Sequence, residues 1–364
     1  MSTIEGNLWV DNYKKGRDLF RKYSIMKYSH LFSSQKYGKI IIDIDEDITI
    51  DYLYLHNNFP TNNSKLNIII SGTHGVEGYA GTAIQCKTLD NFIQKKQLYR
   101  QEDMSYLFIH ALNPYGYQHN RRCTKQNIDL NRNYLDFFPK TIYPDQIFEL
   151  IITYLFSFKF IFLFFSILFQ YGYTKSREYI VKGQYNHSQG LFYGGTRKQQ
   201  NIRELEHMLD TIDLSSFTDI HIFDIHTGLG KYGNLSVMVP NDTYEELTKF
   251  IKCNETTNLV NISVSNMYQD SKGSITEGME DYFKHRSFKG TLYPIILEYG
   301  TYSNIQIFIG LLMENYYYIN NSNNSNEKEL CKSQNKLRDL FYINEPQWKQ
   351  MILSNYQDII SQFN

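Results

Sequence analysis

Five residues, Leu66 to Ile70, limit what this chain can become. Four of them are apolar, and the run is short enough for a central strand buried on both faces. Directly after it comes Ser71-Gly72-Thr73-His74-Gly75-Val76-Glu77-Gly78, and then a small-residue helical stretch from Tyr79 to about Gln94. Strand, glycine-rich loop and helix open a βαβ unit, so the expected class is α/β. Glycine tolerates positive φ, so this loop can turn sharply enough for His74 and Glu77 to reach one ion. Imidazole plus carboxylate is the ligand mixture of catalytic zinc, which takes three protein ligands and keeps a fourth position open for water. Taken alone, a His and a Glu this close are more often a solvated loop pair, so the reading needs further ligands.

The remaining composition narrows the classes. The chain has 364 residues, enough for one large domain or two modest ones. A net charge of -1 gives no global field for nucleic acid or an anionic membrane. Cys86, Cys123, Cys253 and Cys331 are scattered without a CxxC pair, which argues against a cysteine zinc site and a disulfide framework. Free thiols fit a reducing cytosol. Met1 to Phe20 lacks an apolar core of signal-peptide length, so the expected location is cytoplasmic.

Further along, chemically useful groups fall at the expected ends of strands. Lys39 to Ile44, Ile48 to His56 and Met104 to His110 read as strands. A polar loop follows, His119 to Tyr134, with arginines at 121, 122 and 132 among several asparagines. Composition alone allows a solvated loop; the functional reading is an anion pocket, since guanidinium forks bind carboxylates in two-point fashion. Thr218 to Ile225 reads as a strand giving way to His226-Thr227-Gly228-Leu229-Gly230, the edge where ligands bind in open α/β sheets. Asp224 lies two residues back and faces the same way, placed to orient an imidazole. Leu292 to Leu297 reads as a last buried strand ending at Glu298, where burial would raise a carboxyl toward general-base use. The bland alternatives are a hydrogen-bonded core histidine and a structural carboxylate.

Ile151 to Phe169 is apolar and aromatic over nearly a bilayer's length. Lys159 near its centre is costly in hydrocarbon, and the candidate site lies on both sides of it. The favoured reading is a buried or partner-packed helix, with a homo-oligomer interface or membrane-surface contact as alternatives.

The order His74-x-x-Glu77, Asp129-Leu130-Asn131-Arg132-Asn133, His226, Glu298 resembles the zinc carboxypeptidases. The wording is closest to a domain-of-unknown-function branch of that metallohydrolase superfamily, which spans the carboxypeptidase A and succinylglutamate desuccinylase types. Asn113-Pro114-Tyr115-Gly116, Phe192-Tyr193-Gly194-Gly195 and Leu297-Glu298-Tyr299-Gly300-Thr301 also have counterparts there, and the likeness runs from about residue 15 to the C-terminus. The resemblance implies a central mixed, mostly parallel twisted sheet with helices on both faces. It implies a single catalytic domain over 1–364, with an aromatic-rich helical insertion at about 145–180 and a helical tail at about 327–364. It implies one zinc ion on His74, Glu77 and His226, catalytic Glu298, a carbonyl-polarising arginine at Arg122 with Arg121 adjacent, and a substrate carboxylate held by Asn131 and Arg132. Tyr293 and Tyr299 are unranked candidates for a substrate-capping tyrosine. The activity implied is hydrolysis of an amide bond next to a free carboxylate, on a peptide or an acylated amino acid. An N-acyl amino acid deacylase and a degenerate carboxylate-binding scaffold are the rivals.

Overall fold

The computed structural model describes residues 8–57, 64–94, 103–139, 182–263, 272–321 and 326–363. The strands are β1 Ser34–Asp43, β2 Ile48–His56, β3 Lys65–Ile70, β4 Met104–His110, β5 Asp219–Gly228, β6 Leu235–Val239, β7 Thr257–Asn261 and β8 Thr291–Gly300. They form one sheet in the order β1-β2-β4-β3-β5-β8-β6-β7. The central run β4-β3-β5-β8 is parallel throughout, as is the β6–β7 pair. The β1–β2, β2–β4 and β6–β8 pairs are antiparallel. The sheet is therefore mixed and mostly parallel, as expected.

Period-two alternation divides the core between the two faces. Ile69, Phe108, Phe223 and Ile295 pack with the helices Tyr13–Ser24, Gly78–Ile93 and Pro346–Ile360. Ile68, Ile70, Leu107, Ile220 and Ile222 pack with the helices Gln200–Leu209 and Ile275–His285. Each such side chain, fully buried, stabilises the fold by roughly 1.5–3 kcal/mol. The two C-terminal helices are packed into these layers. Leu337 and Phe341 join a third apolar cluster, and Trp348, Ile352 and Tyr356 lie in the first.

Some boundaries differ from expectation. β7 ends at Asn261, its position fixed by pairing with β6, whereas the apolar signal suggests a strand starting there and running to Val264, which lies outside the described residues. The helix Asn241–Leu247 follows Pro240, which has no hydrogen-bonding side chain to cap it. The stretch Ile151 to Phe169 and the expected insertion at about 145–180 fall outside the described residues. Among the described residues, no helix is long and apolar enough to cross a membrane.

Two histidines are enclosed by this sheet. His221 Nδ1 lies 2.7 Å from Asn67 Oδ1, with the rings of Tyr293 and Phe363 at 5.0 and 5.1 Å. His110 stacks on Phe20 at 4.9 Å, and its Nε2 lies 2.9 Å from Thr82 Oγ1. Burial favours the neutral rings, pushing His110 down to about 4 and His221 to about 3. In the unfolded chain both titrate near 6.5, so the unfolded state binds more protons below that pH. Stability is complete above pH 6.5 and falls as pH drops toward the folded values, by up to ~1.4 kcal/mol per pH unit for each ring. His221→Phe keeps the aromatic contacts and removes one titration. Its urea midpoint should fall less steeply than that of the wild type between pH 6.5 and 4, and parallel curves would refute the assignment.

Candidate active site

The site is assembled by parallel register. Ile70 on β3 stands opposite Asp224 on β5, and His226 on β5 opposite Glu298 on β8. Asp224 and His226 extend the side-chain row begun by Ile220 and Ile222, so apolar packing lower on the strand aims them. Both His226 and Glu298 lie inside their strands, not just beyond them. The β5–β8 ladder continues to Gly228 opposite Gly300, and pairing sets the strand ends.

The chain leaves β3 at Ser71 and turns through Gly72, whose φ is +62°. Gly75 sits against a neighbouring loop, where an added Cβ would stand 2.1 Å from the carbonyl carbon of Gly116. Gly75 N–H donates to Arg122 O at 3.2 Å and Val76 N–H to Arg121 O at 2.8 Å. One 3₁₀ turn, Gly75–Glu77, then returns the Glu77 carboxylate to the His74 ring.

His74, Glu77 and His226 are 4%, 2% and 2% exposed. A ligand atom from each lies within 4.8 Å of the others. His74 Nδ1 is 2.9 Å from Glu77 Oε1, His226 Nδ1 is 2.9 Å from Glu77 Oε2, and the two Nδ1 atoms are 3.1 Å apart. The outer nitrogens face carboxylates. His226 Nε2 is 2.8 Å from Asp224 Oδ2, and His74 Nε2 is 3.3 Å from Asp129 Oδ1. The latter is an ion-pair distance without hydrogen-bond alignment. With protons on the outer nitrogens, both Nδ1 atoms present lone pairs to each other and to an ionised carboxylate. Three crowded acceptors of this kind call for a cation. Tetrahedral zinc with bonds of about 2.0–2.1 Å separates its ligands by roughly 3.3 Å, close to the spacing found, so the donor set fits that ion.

The electrostatics agree. Burial opposes ionisation of Glu77, but the His74 and His226 imidazoles outweigh it and hold the carboxyl at about 2. Burial likewise disfavours charged His226, but Asp224 and Glu77 outweigh it and lift the ring well above its usual value. A field that retains a proton there also favours a metal cation. Glu298 is 5% exposed and accepts a hydrogen bond from Leu229 N–H at 2.8 Å. Burial first, and then the Glu77 charge, push its carboxyl up to about 8.

The adjacent arginines have different surroundings. Arg121 is buried, donating to Glu314 Oε1 at 2.5 Å and Asn127 Oδ1 at 2.9 Å, with its guanidinium 3.1 Å from the centre of the Tyr318 ring. Arg122 turns to the ligand group. Its Nε donates to Asp129 Oδ2 at 2.9 Å, and its Nη1 lies 3.9 Å from Glu77 Oε1. Its guanidinium lies 5.1 Å from the centre of the ring of Phe192, which has a φ of +54°. Asn131 and Arg132 are buried beside Asp129. Asn131 N–H donates to Asp129 Oδ1 at 2.9 Å, Asn131 Oδ1 accepts from Ile275 N–H at 2.9 Å, and Arg132 Nη1 donates to Asn131 O at 2.6 Å.

Tyr293 and Tyr299 both pack in the core on the opposite sheet face from Glu298, and Tyr293 donates to Glu246 Oε1 at 2.7 Å. Neither faces the site. Asp129 is the group that sequence reasoning passed over. It joins Arg122, His74 and the Asn131 backbone, and its signals were its place in an arginine-rich loop and at the head of the Asp129-Leu130-Asn131-Arg132-Asn133 motif. Burial opposes its charge, but Arg122 and His74 outweigh that and hold it well below the usual carboxylate range.

Residues 10–355 match the family described as protein of unknown function DUF2817, and the chain belongs to that family. No curated protein matches it. Among solved structures it is similar to carboxypeptidase A from Helicoverpa armigera, at 11% identity over 90% of this chain and 73% of that one, with a TM-score of 0.48. It is similar to bovine thrombin-activatable fibrinolysis inhibitor, at 12% identity over 96% and 99% of the two chains, with a TM-score of 0.45. A Shewanella frigidimarina protein of the succinylglutamate desuccinylase/aspartoacylase kind is similar at 14% identity over 79% and 70%, with a TM-score of 0.34.

Elemental analysis checks the ligand group. The purified wild type should carry about one zinc per chain, as a single three-ligand site implies. His226→Ala should carry almost none while keeping its far-ultraviolet circular dichroism. Equal zinc in the two proteins would remove His226 from the site.

Proposed function

We propose that this chain is a zinc-dependent hydrolase, carboxypeptidase-like, that cleaves an amide bond next to a free carboxylate. One zinc is held by His74, Glu77 and His226. The supporting observation is the meeting of buried ligand atoms from these three residues within 4.8 Å of one another, with the two Nδ1 atoms 3.1 Å apart and each 2.9 Å from one oxygen of the Glu77 carboxylate. Zinc supplies Lewis-acid activation of water and of the scissile carbonyl.

The chain's own groups do the rest. Glu298 is the general base, taking a proton from the attacking water and delivering it to the leaving amine. Its burial beside the ligand group and its hydrogen bond from Leu229 N–H support that role. Arg122 offers N–H groups to the carbonyl oxygen as charge develops there, usually the largest contribution in acyl transfer. Asp129 and Phe192 hold its guanidinium from two sides. Asn131 and Arg132 receive the substrate carboxylate, which accepts N–H bonds from both. The Asn131 oxygen is committed to Ile275, so its amide nitrogen is the end that meets a ligand. The exposed free thiols of Cys253 and Cys331 suit a cytoplasmic location.

Peptides with a free C-terminus and N-acyl amino acids both present an amide beside a carboxylate, so both belong in the assay. Glu298→Gln should keep its zinc and lose turnover by at least ~100-fold, the low end for general acid–base catalysis. A variant working at the wild-type rate would exclude Glu298 as the base. A zinc-loaded wild type that turns over neither substrate kind, yet binds a carboxylate, would make the chain a binding protein.

A further inference from the structure

Two buried residues beside the ligand group join its halves. The Thr73 hydroxyl donates to Asp224 Oδ1 at 2.7 Å, and Asp224 Oδ2 accepts from His226 Nε2 at 2.8 Å. A carboxylate only accepts, so the proton directions in this chain are fixed. His226 Nε2 must carry a hydrogen, so Nδ1, 2.9 Å from Glu77 Oε2, is the nitrogen left to take a metal. Thr73 directly precedes His74 on the loop after β3, whereas Asp224 and His226 belong to β5. The Thr73–Asp224 bond therefore crosses from the half that carries His74 and Glu77 to the half that carries His226. A second tie crosses in the other direction, from Thr227 N–H to Glu77 Oε2 at 3.1 Å.

We propose that Thr73 and Asp224 act as a pin between the two halves of the metal site. The pin fixes the distance between halves and the orientation and tautomer of His226, so metal affinity depends on a hydroxyl that is not itself a ligand. Both are positioning residues: Asp224 acts through His226, and Thr73 acts through Asp224. The inference rests on the zinc reading above.

Thr73→Val keeps the side-chain shape and removes the hydroxyl, leaving Asp224 Oδ1 without that donor. Zinc affinity, measured by competition with a chromophoric chelator, should weaken about tenfold in Thr73→Val and about 10–100-fold in Asp224→Ala, the range for groups that orient metal-bound histidines. The double variant should bind zinc no more weakly than Asp224→Ala, because the Thr73 hydroxyl acts through Asp224. Asp224→Asn keeps the shape and the His226 contact, and it should lose less than Asp224→Ala; it also serves if the alanine variant does not fold. Visible absorption of the Co²⁺-loaded protein should change in Thr73→Val, reporting altered ligand geometry. Thermal unfolding of the metal-free proteins separates a packing role. A lowered midpoint in Thr73→Val with unchanged zinc affinity and an unchanged Co²⁺ spectrum would overturn the pin, as would additive losses in the double variant. A wild type that binds no zinc would instead overturn the metal reading on which the pin rests.

Discussion

The parallel register of β3, β5 and β8 is the constraint on which the rest depends. Side chains alternate along a strand, so a slip of one residue would turn His226 to the far face and bring Ile225 into its place. Packing prevents that slip. Phe223, Ile225, Ile295 and Leu297 are committed to one core, and Ile220 and Ile222 to the other. The apolar interior thus fixes the spacing of polar atoms at the strand ends. Those atoms gather at the carboxyl-terminal ends of the central parallel strands, the edge where open α/β sheets leave a crevice for ligands.

Electrostatics favour a cation at such a gathering. Glu77, Asp129, Asp224 and Glu298 are all buried within this small region. Each ion moved out of water costs several kcal/mol unless it is well paired. Asp129 has Arg122, and Asp224 has Thr73 and His226. Among the described residues, Glu77 has the two imidazoles, Thr227 N–H and a distant guanidinium. The shortage of positive charge is centred on the ligand atoms themselves. Glu298, at the edge of the same negative field, is the carboxyl that is driven toward its neutral form.

The α/β class, the ligand-bearing loop and the candidate ligands were legible because each had a local signature. Leu66 to Ile70 is apolar with no alternation, which is the mark of a strand covered on both faces, and all but one of its residues join the two large clusters. Asp224 could be paired with His226 from strand periodicity alone. Other features depend on distant partners and left no local trace. Arg121 and Arg122 are chemically identical neighbours, and only Glu314, Tyr318 and Asp129 distinguish them. The ends of β5 and β8 come from their mutual ladder, so His226 and Glu298 sit two residues inside strands that local propensity would have ended earlier. Tyr299 adjoins Glu298 in sequence, yet strand alternation sends it into the opposite core.

Those two arginines also show how a structural pair can serve a chemical site without entering it. Arg121 is bound on three sides, by Glu314, Asn127 and Tyr318, and breaking a buried ion pair of this kind costs about 3–5 kcal/mol. The same two-residue segment offers its carbonyls to the ligand loop, Arg121 O to Val76 N–H and Arg122 O to Gly75 N–H. Anchoring Arg121 therefore holds the backbone on which the loop between His74 and Glu77 is seated. Gly75 has no room for a side chain because that backbone lies so close. The buried Arg121–Glu314 pair thus supports the position of the ligands through peptide groups, while Arg122 remains turned toward them. One residue fixes the loop and its neighbour is available for chemistry, a division that follows from where each guanidinium finds its carboxylate.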